Sequence, residues 1–248
     1  RRPRVALFST GDELVMPGEP LKPGAIYNSN RFTLRALLQA AGCEVEDFGI
    51  VPDRLDATRD ALRRAAAAND LIVTSGGVSV GEEDHLRPAV MAEGRVENWQ
   101  LAMKPGKPLA FGAVRRAPAD ADASRVVGTA SDGGEALFVG LPGNPVSSFV
   151  TFVLCVSTVL RALQGMSTAL PRPLPLVAAF DWPRPDRRRE FVRARLTDAG
   201  EVELFDNQSS GVLTSAVWAD GLVDIAAGST VRRGERVRYL PLAELVGR

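Results

Sequence analysis

The chain has 248 residues, 45% of them hydrophobic and 24% charged, which supports a sizeable core and excludes global disorder. Its 30 basic and 30 acidic residues cancel, removing any general electrostatic case for binding nucleic acid or an anionic membrane. The single histidine, His85, argues against zinc, and Cys43 and Cys155 sit in apolar helical contexts that read as buried free thiols. The longest apolar stretch, 146–163, is broken by Ser147, Ser148, Thr151, Ser157, Thr158 and Arg161, and reads as a buried helix rather than a membrane span. A reduced, cytoplasmic setting is expected. A start at Arg1 without methionine fits a fragment of something longer.

In chain order, Val5 onward gives a short strand that turns at Gly11 into Asp12 and Glu13. A proline- and glycine-rich loop follows. Asn28, Ser29 or Asn30 can cap the next helix, whose apolar face includes Phe32, Leu34, Leu37 and Leu38. A second strand ends at Asp53, and an alanine-rich helix follows with Asp56 as a possible cap and Leu55, Leu62 and Ala65 inward. The third strand, DLIV, runs into TSGGVSVGEED, the stretch around which the rest is organised. Gly76 and Gly77 permit a close backbone approach, Ser75 and Ser79 add hydroxyls, and the loop closes on Glu82, Glu83 and Asp84 before a helix with Leu86, Val90 and Met91. Such a loop reads either as a phosphate cradle beside carboxylates that require a metal, or as a tight turn in which Asp84 caps.

Strand–helix alternation predicts an α/β fold with a mainly parallel sheet and helices on both faces. Asp12/Glu13, Asp53 and the Glu82–Asp84 acids then share the sheet edge where ligands bind in open α/β sheets. Farther on, two strands flank Lys104-Pro105-Gly106-Lys107-Pro108, which suits a multiply charged anion or is a basic hairpin tip. Residues 115–135 read as a surface excursion without function. A strand at Ala136–Val139 enters Gly140-Leu141-Pro142-Gly143-Asn144-Pro145, with Asn144 as a cap and Ser147 and Ser148 in the first turn of a long helix, a second anion-binding helix start. Beyond a proline-rich linker, 166–173, five short alternating runs without helices predict a small all-β barrel or sandwich over 174–248. Its basic run, Arg184 to Arg195, is either a solvated face or an anion contact.

Taken together, STGDEL, IVPD, SGGVSVGEED, MKPGKP and GLPGNPVSS resemble the molybdopterin molybdenumtransferases, the family that includes the E domain of gephyrin. The resemblance covers essentially the whole chain. It implies a molybdopterin-binding α/β domain over 1–165 and a C-terminal β-barrel domain over 174–248, with the family's N-terminal domains absent. The implied reaction is Mg²⁺-dependent insertion of molybdate into adenylated molybdopterin, with release of AMP and molybdenum cofactor. By motif, Glu13, Asp53 and Asp84 are the acids around the metal and molybdate, Asp12 is a weaker member, and Lys104 is the active-site lysine. Ser75, Gly76 and Gly77, with Pro142, Gly143, Asn144 and Pro145, correspond to the loops holding pterin and phosphates. Arg193 and Ser210 correspond to functional polar residues of the barrel. Ser79, Lys107 and Ser147 join them as anion contacts.

Members commonly carry a basic residue four positions before Lys104; here it is Gln100, so one anion contact is either lost or supplied by Lys107 or an arginine. The implied partners are the pterin substrate, a second copy of the full-length protein in a homodimer, and the molybdopterin adenylyltransferase. Two alternatives remain at this stage: the adenylyltransferase itself, against which the trailing β-domain argues, and a non-catalytic scaffold, against which the carboxylate cluster argues. No serine–histidine or cysteine–histidine arrangement supports covalent nucleophilic catalysis.

Overall fold

The computed structural model describes residues 1–78, 85–116 and 134–246, so Ser79, Glu82, Glu83, Asp84 and most of the 115–135 excursion lie outside the described residues. The chain divides into two compact units, one formed by 1–99 with 108–141 and the other by 100–107 with 142–248.

The first unit begins with β1 (Arg4–Thr10), followed by the two-residue strands β2 (Leu14–Val15) and β3 (Ile26–Tyr27) and by α1 (Ser29–Ala40). It continues through β4 (Glu44–Val51), α2 (Leu55–Ala68), β5 (Leu71–Ser75), α3 (Leu86–Glu93) and β6 (Gly94–Gln100). After β7 (Met103–Lys104), which belongs to the second unit, β8 (Pro108–Arg115) and β9 (Glu135–Leu141) complete it. The sheet order is β4-β1-β5-β9-β8-β6. Its first four strands are parallel and β8 is antiparallel to β9, so the antiparallel part lies to one side.

Strand alternation sends Ala6, Phe8 and Ile72 to the face covered by α2 and α3, where Leu62, Ala65, Leu86 and Val90 bury with them. Val5, Leu7, Leu71 and Val73 point the other way and are fully buried. Each such large apolar side chain contributes about 1.5–3 kcal/mol, an upper estimate. In α1 the buried stripe runs Asn30, Leu34, Leu38, and Asn28 caps by accepting from the Arg31 N–H. Phe32, expected inward, is 50% exposed, because two residues along a helix is about 200° from the stripe. Leu55 and Met91 are likewise exposed at the first turn of α2 and on the outer side of α3.

In the second unit, α4 (Pro145–Thr151) passes through a π-helical turn (Phe152–Val156) into α5 (Ser157–Leu163). Thr151, Ser157 and Thr158 return hydroxyl hydrogen bonds to carbonyls four residues back along this stretch. The helix 145–163 is long and apolar enough to cross a bilayer, yet 61% of its most apolar window is buried within the protein. Then come β10 (Leu174–Val177), β11 (Arg189–Leu196), β12 (Val202–Leu204), α6 (Thr214–Trp218), β13 (Gly221–Ile225), β14 (Arg236–Pro241) and α7 (Leu242–Val246). The sheet runs β10-β14-β13-β11-β12, and a bridge from Ala178 to Val202 joins its two ends into a barrel.

The five apolar runs of the sequence are these five strands. The two short helices between and after them were not expected, since each has only five residues and too few positions to show a period. The long helix clusters with the barrel, to which Val146 N–H is bonded through the Ser210 carbonyl and Arg161 through the Glu244 carbonyl.

Candidate functional site

Parallel strands place their C-terminal ends on one edge, and the registers align them: Thr10 lies beside Val51, Ser9 beside Ser75, and Ser75 beside Leu141. The turns leaving these ends carry the expected residues. Asp12 and Glu13 are exposed and Asp53 is half-buried. The Asp53 N–H points at Asp12 Oδ1 at 3.4 Å, so the first two turns adjoin. The Glu13 carboxylate folds back over Gly11, where a Cβ would fall 2.6 Å from Glu13 Oε2.

The glycine loop closes on the same place for a steric reason. Gly76 (φ +90°) and Gly77 (φ +63°) lie in the left-handed region, and the Gly76 N–H donates to the Leu141 carbonyl at 3.1 Å. A Cβ on Gly76 would sit 2.3 Å from the Thr10 carbonyl oxygen, and one on Gly77 would sit 2.6 Å from Thr10 Oγ1. Only residues without side chains let this loop settle onto the end of β1, beside the acidic turn.

Beneath the loop is a buried polar layer. Ser75, 3% exposed, accepts from Asn30 Nδ2 at 2.8 Å, leaving its own O–H to donate. Among the described residues, Ser9 Oγ, Thr10 Oγ1, Thr74 Oγ1 and Asn28 Nδ2 are buried without a hydrogen-bond partner. Leaving such atoms unpaired is costly, so this edge has donors and acceptors to offer to water or a ligand. Asn30 is a residue whose role the sequence reading placed only among possible caps. Asn28 takes the cap, and the signal for Asn30 was the surplus asparagine.

The donor set here is carboxylate oxygen, hard and exposed. Among the described residues no group of three or more His, Cys, Asp or Glu converges. Mg²⁺ is held by one or two carboxylates together with water and phosphate oxygens, so adjoining turns bearing Asp12, Glu13 and Asp53 fit it. Asp84 and Ser79 lie outside the described residues.

The second unit gathers the remaining candidates. Gly106 (φ +107°) packs against the long helix, where a Cβ would fall 2.4 Å from Thr151 Oγ1, so the Lys-Pro-Gly-Lys loop rests on the turn carrying Ser147. Pro142 and Ser147 are buried, and Gly143 and Asn144 are exposed. Asn144 occupies the cap position without a side-chain cap bond, with Pro145 at the first helical position. The Val146 N–H is instead taken by the Ser210 carbonyl at 3.0 Å, which lays the 207–210 loop across the helix start.

Arg193 holds that loop from the barrel side. It is 1% exposed, and its guanidinium donates to Ser215 Oγ at 3.0 Å and to the Ser209 carbonyl at 3.2 Å. Gln208 brackets its backbone, accepting from the Arg193 N–H and donating to its carbonyl, both at 2.9 Å. Burial pushes Arg193 down to about 10, still cationic at neutral pH. Lys107 is exposed, and its carbonyl accepts from the Leu101 N–H. Lys104, expected to offer a charge to an anion, instead meets carboxylates: Glu190 Oε1 at 2.9 Å and Asp186 Oδ2 at 3.1 Å. The sequence reading missed both acids. Glu190 was visible as the one acid inside RRREFVRAR, and Asp186 as the aspartate just before it.

Residues 6–162 match the family described as the probable molybdopterin binding domain, and residues 175–242 match the MoeA C-terminal region (domain IV). A molybdopterin molybdenumtransferase of Haemophilus influenzae is 35% identical over 253 aligned positions, covering 100% of this chain and 58% of that protein. The chain belongs to the molybdopterin molybdenumtransferase family. A Nostoc member of the same name is 37% identical, covering 98% of this chain and 53% of its own length. The crystal structure of a molybdopterin biosynthesis MoeA protein from Pyrococcus horikosii superposes with a TM-score of 0.74 at 28% identity, covering 98% of this chain and 55% of that one. The chain thus spans a little over half the length of the relatives it matches.

Proposed function

We propose that the protein carries the ligand-binding and catalytic residues of a molybdopterin molybdenumtransferase, inserting molybdate into adenylated molybdopterin with release of AMP. The observation that carries this reading is the adjoining of the Asp12-Glu13 turn, the Asp53 turn and the Gly76-Gly77 loop at one sheet edge. Cleaving a phosphoanhydride requires fixed donors at the phosphates and neutralisation of their charge. The Gly76 N–H is taken by the Leu141 carbonyl, so the Gly77 N–H and the Ser75 hydroxyl would supply donors. Glu13 and Asp53, with Asp84 outside the described residues, would hold Mg²⁺, which when bound neutralises phosphate charge.

In the second unit, the 142–147 helix start, Lys107, Arg193 and Ser210 would orient the pterin and its anions, and Lys104 would meet molybdate. The functional domains are 1–165 and 174–248, joined by 166–173. The setting is cytoplasmic, the full-length protein is a homodimer, and the adenylyltransferase that makes the substrate is its neighbour in the reaction sequence.

The test is incubation of the chain with adenylated molybdopterin, Mg²⁺ and molybdate while AMP is followed. AMP appearing only with both metal and molybdate supports insertion; none, with no adenylate binding either, overturns it. Asp53→Asn keeps shape and removes charge. It is expected to lower Mg²⁺-dependent AMP release by roughly a hundredfold or more while leaving the melting temperature in place. Release at the wild-type rate would remove Asp53 from the reaction.

A further inference from the structure

Lys104 sits in a cluster that its assigned role does not explain. It is on β7, which pairs in parallel with the first residues of β11, so that Lys104 lies opposite Glu190. Glu190 is almost wholly enclosed, its side chain 3% exposed, and it is gripped from the other side by Trp182 Nε1, which donates to Glu190 Oε2 at 2.9 Å. Asp186 is fixed in its turn by the Arg188 N–H at 2.9 Å and by the Arg188 guanidinium. An ammonium has three N–H donors; here two are directed at Glu190 Oε1 and Asp186 Oδ2. The Lys104 side chain is nevertheless 46% exposed, so the third donor faces outward.

The charges of Lys104, Arg188, Asp186 and Glu190 sum to zero. The group therefore does not attract anions by net charge, and what it provides is direction. A free lysine carries about 2 kcal/mol of side-chain entropy and presents no fixed donor. Tied at two of three positions to a carboxylate that is itself immobilised, this one presents a single donor along one line. Hydrogen bonding to Glu190, then to Asp186, also raises the Lys104 pKa, against the effect of partial burial, so the ammonium stays protonated.

We infer that Glu190, locked by Trp182, is a positioning residue that aims the third N–H of the Lys104 ammonium at its oxyanion. This rests on the reading of Lys104 as the molybdate contact. Arg188 is the other charged group facing Asp186 and completes the neutral cluster.

The test uses molybdate alone as probe, titrated calorimetrically against the chain and against Glu190→Gln, Trp182→Phe and Lys104→Met. In parallel, the Lys104 Nζ resonance is followed through an NMR pH titration. Glu190→Gln preserves shape while removing the charge. It is expected to weaken molybdate binding roughly tenfold, the scale at which losing the partner that orients a ligating group is felt, and to lower the Lys104 titration midpoint. Trp182→Phe keeps every charge and frees the carboxylate, so a smaller loss of affinity is expected. If Lys104→Met loses binding while Glu190→Gln binds as well as or better than wild type, the acid only competes for the lysine, and the inference falls alone. If Lys104→Met binds like wild type, the reading of Lys104 falls and takes the inference with it.

Discussion

Gly76→Ala isolates the contact that seats the central loop. Two effects add in that substitution. Holding an L-residue at φ +90° costs about 1–2 kcal/mol. The new Cβ would also fall 2.3 Å from the Thr10 carbonyl oxygen, a backbone atom at the end of a strand buried from Val5 to Thr10 that cannot rotate aside. Forcing backbone apart in a packed region costs about 1–3 kcal/mol more. The sum is about 2–5 kcal/mol. Gly18 provides the control, because its φ is +98° and a Cβ there meets nothing within 4 Å, so Gly18→Ala carries only the conformational part. In urea, at a slope of about 2–3 kcal/mol per molar, Gly76→Ala should lower the unfolding midpoint by roughly 1 M or more and Gly18→Ala by about half a molar. Equal shifts for the two variants would refute the reasoning, because they would mean that the loop does not rest on Thr10.

Two further outcomes concern titratable groups. Asp224 is buried, which raises its pKa, but hydrogen bonds from Arg189 and Arg238 outweigh this and hold it below the ordinary carboxylate value. Its contribution is therefore present above the unfolded pKa and lost as pH falls through the folded one. Both arginines are more than half exposed and regain water when the acid is removed. Asp224→Asn should accordingly cost about 1–2 kcal/mol at pH 7 and progressively less as pH falls below the ordinary carboxylate range, by urea melts across that range. A cost that is independent of pH would show the pair to be inert. Burial pushes both the Cys43 and Cys155 thiols up to about 11. At pH 8 their thiolate fraction is roughly a hundredfold below that of an ordinary thiol, and reaction with a disulfide reagent should be slowed to match. Wild-type protein reacting at the rate of free cysteine would contradict the burial.

The first unit was legible because its strands are continuous apolar runs, VALF and LIV, buried on both faces, and its helices repeat at a helical period. Composition also gave away the acids at the strand ends, since turns on that edge rarely need three carboxylates. Packing across the chain was not legible. Nothing local marks Glu190 as a partner of Lys104, more than eighty positions away, because the contact is created by β7 pairing with β11. The inward stripe of α1 was misjudged at Phe32 for a similar reason. An apolar residue near a helix start satisfies the pattern, and only the position of the sheet decides which side is inside. Arg193 read as one of a run of arginines, whereas its neighbours pair with acids and it alone of the run is fully buried.

The placement of β7 bears on how this protein can be cut and recombined. The β13 strand lines one edge of β11 along Glu190–Ala194. On the other edge β12 reaches only Ala194–Leu196, and β7 covers Arg189 and Glu190. The barrel's own sequence therefore leaves part of one strand edge bare, and the cover comes from a segment encoded between two strands of the other unit. A gene fragment cut at the proline-rich linker would yield a β-sheet with open backbone donors and acceptors, a template for adventitious strand pairing. The two units are thus interleaved in the chain, and a chimera that exchanges the barrel must carry residues 100–107 with it.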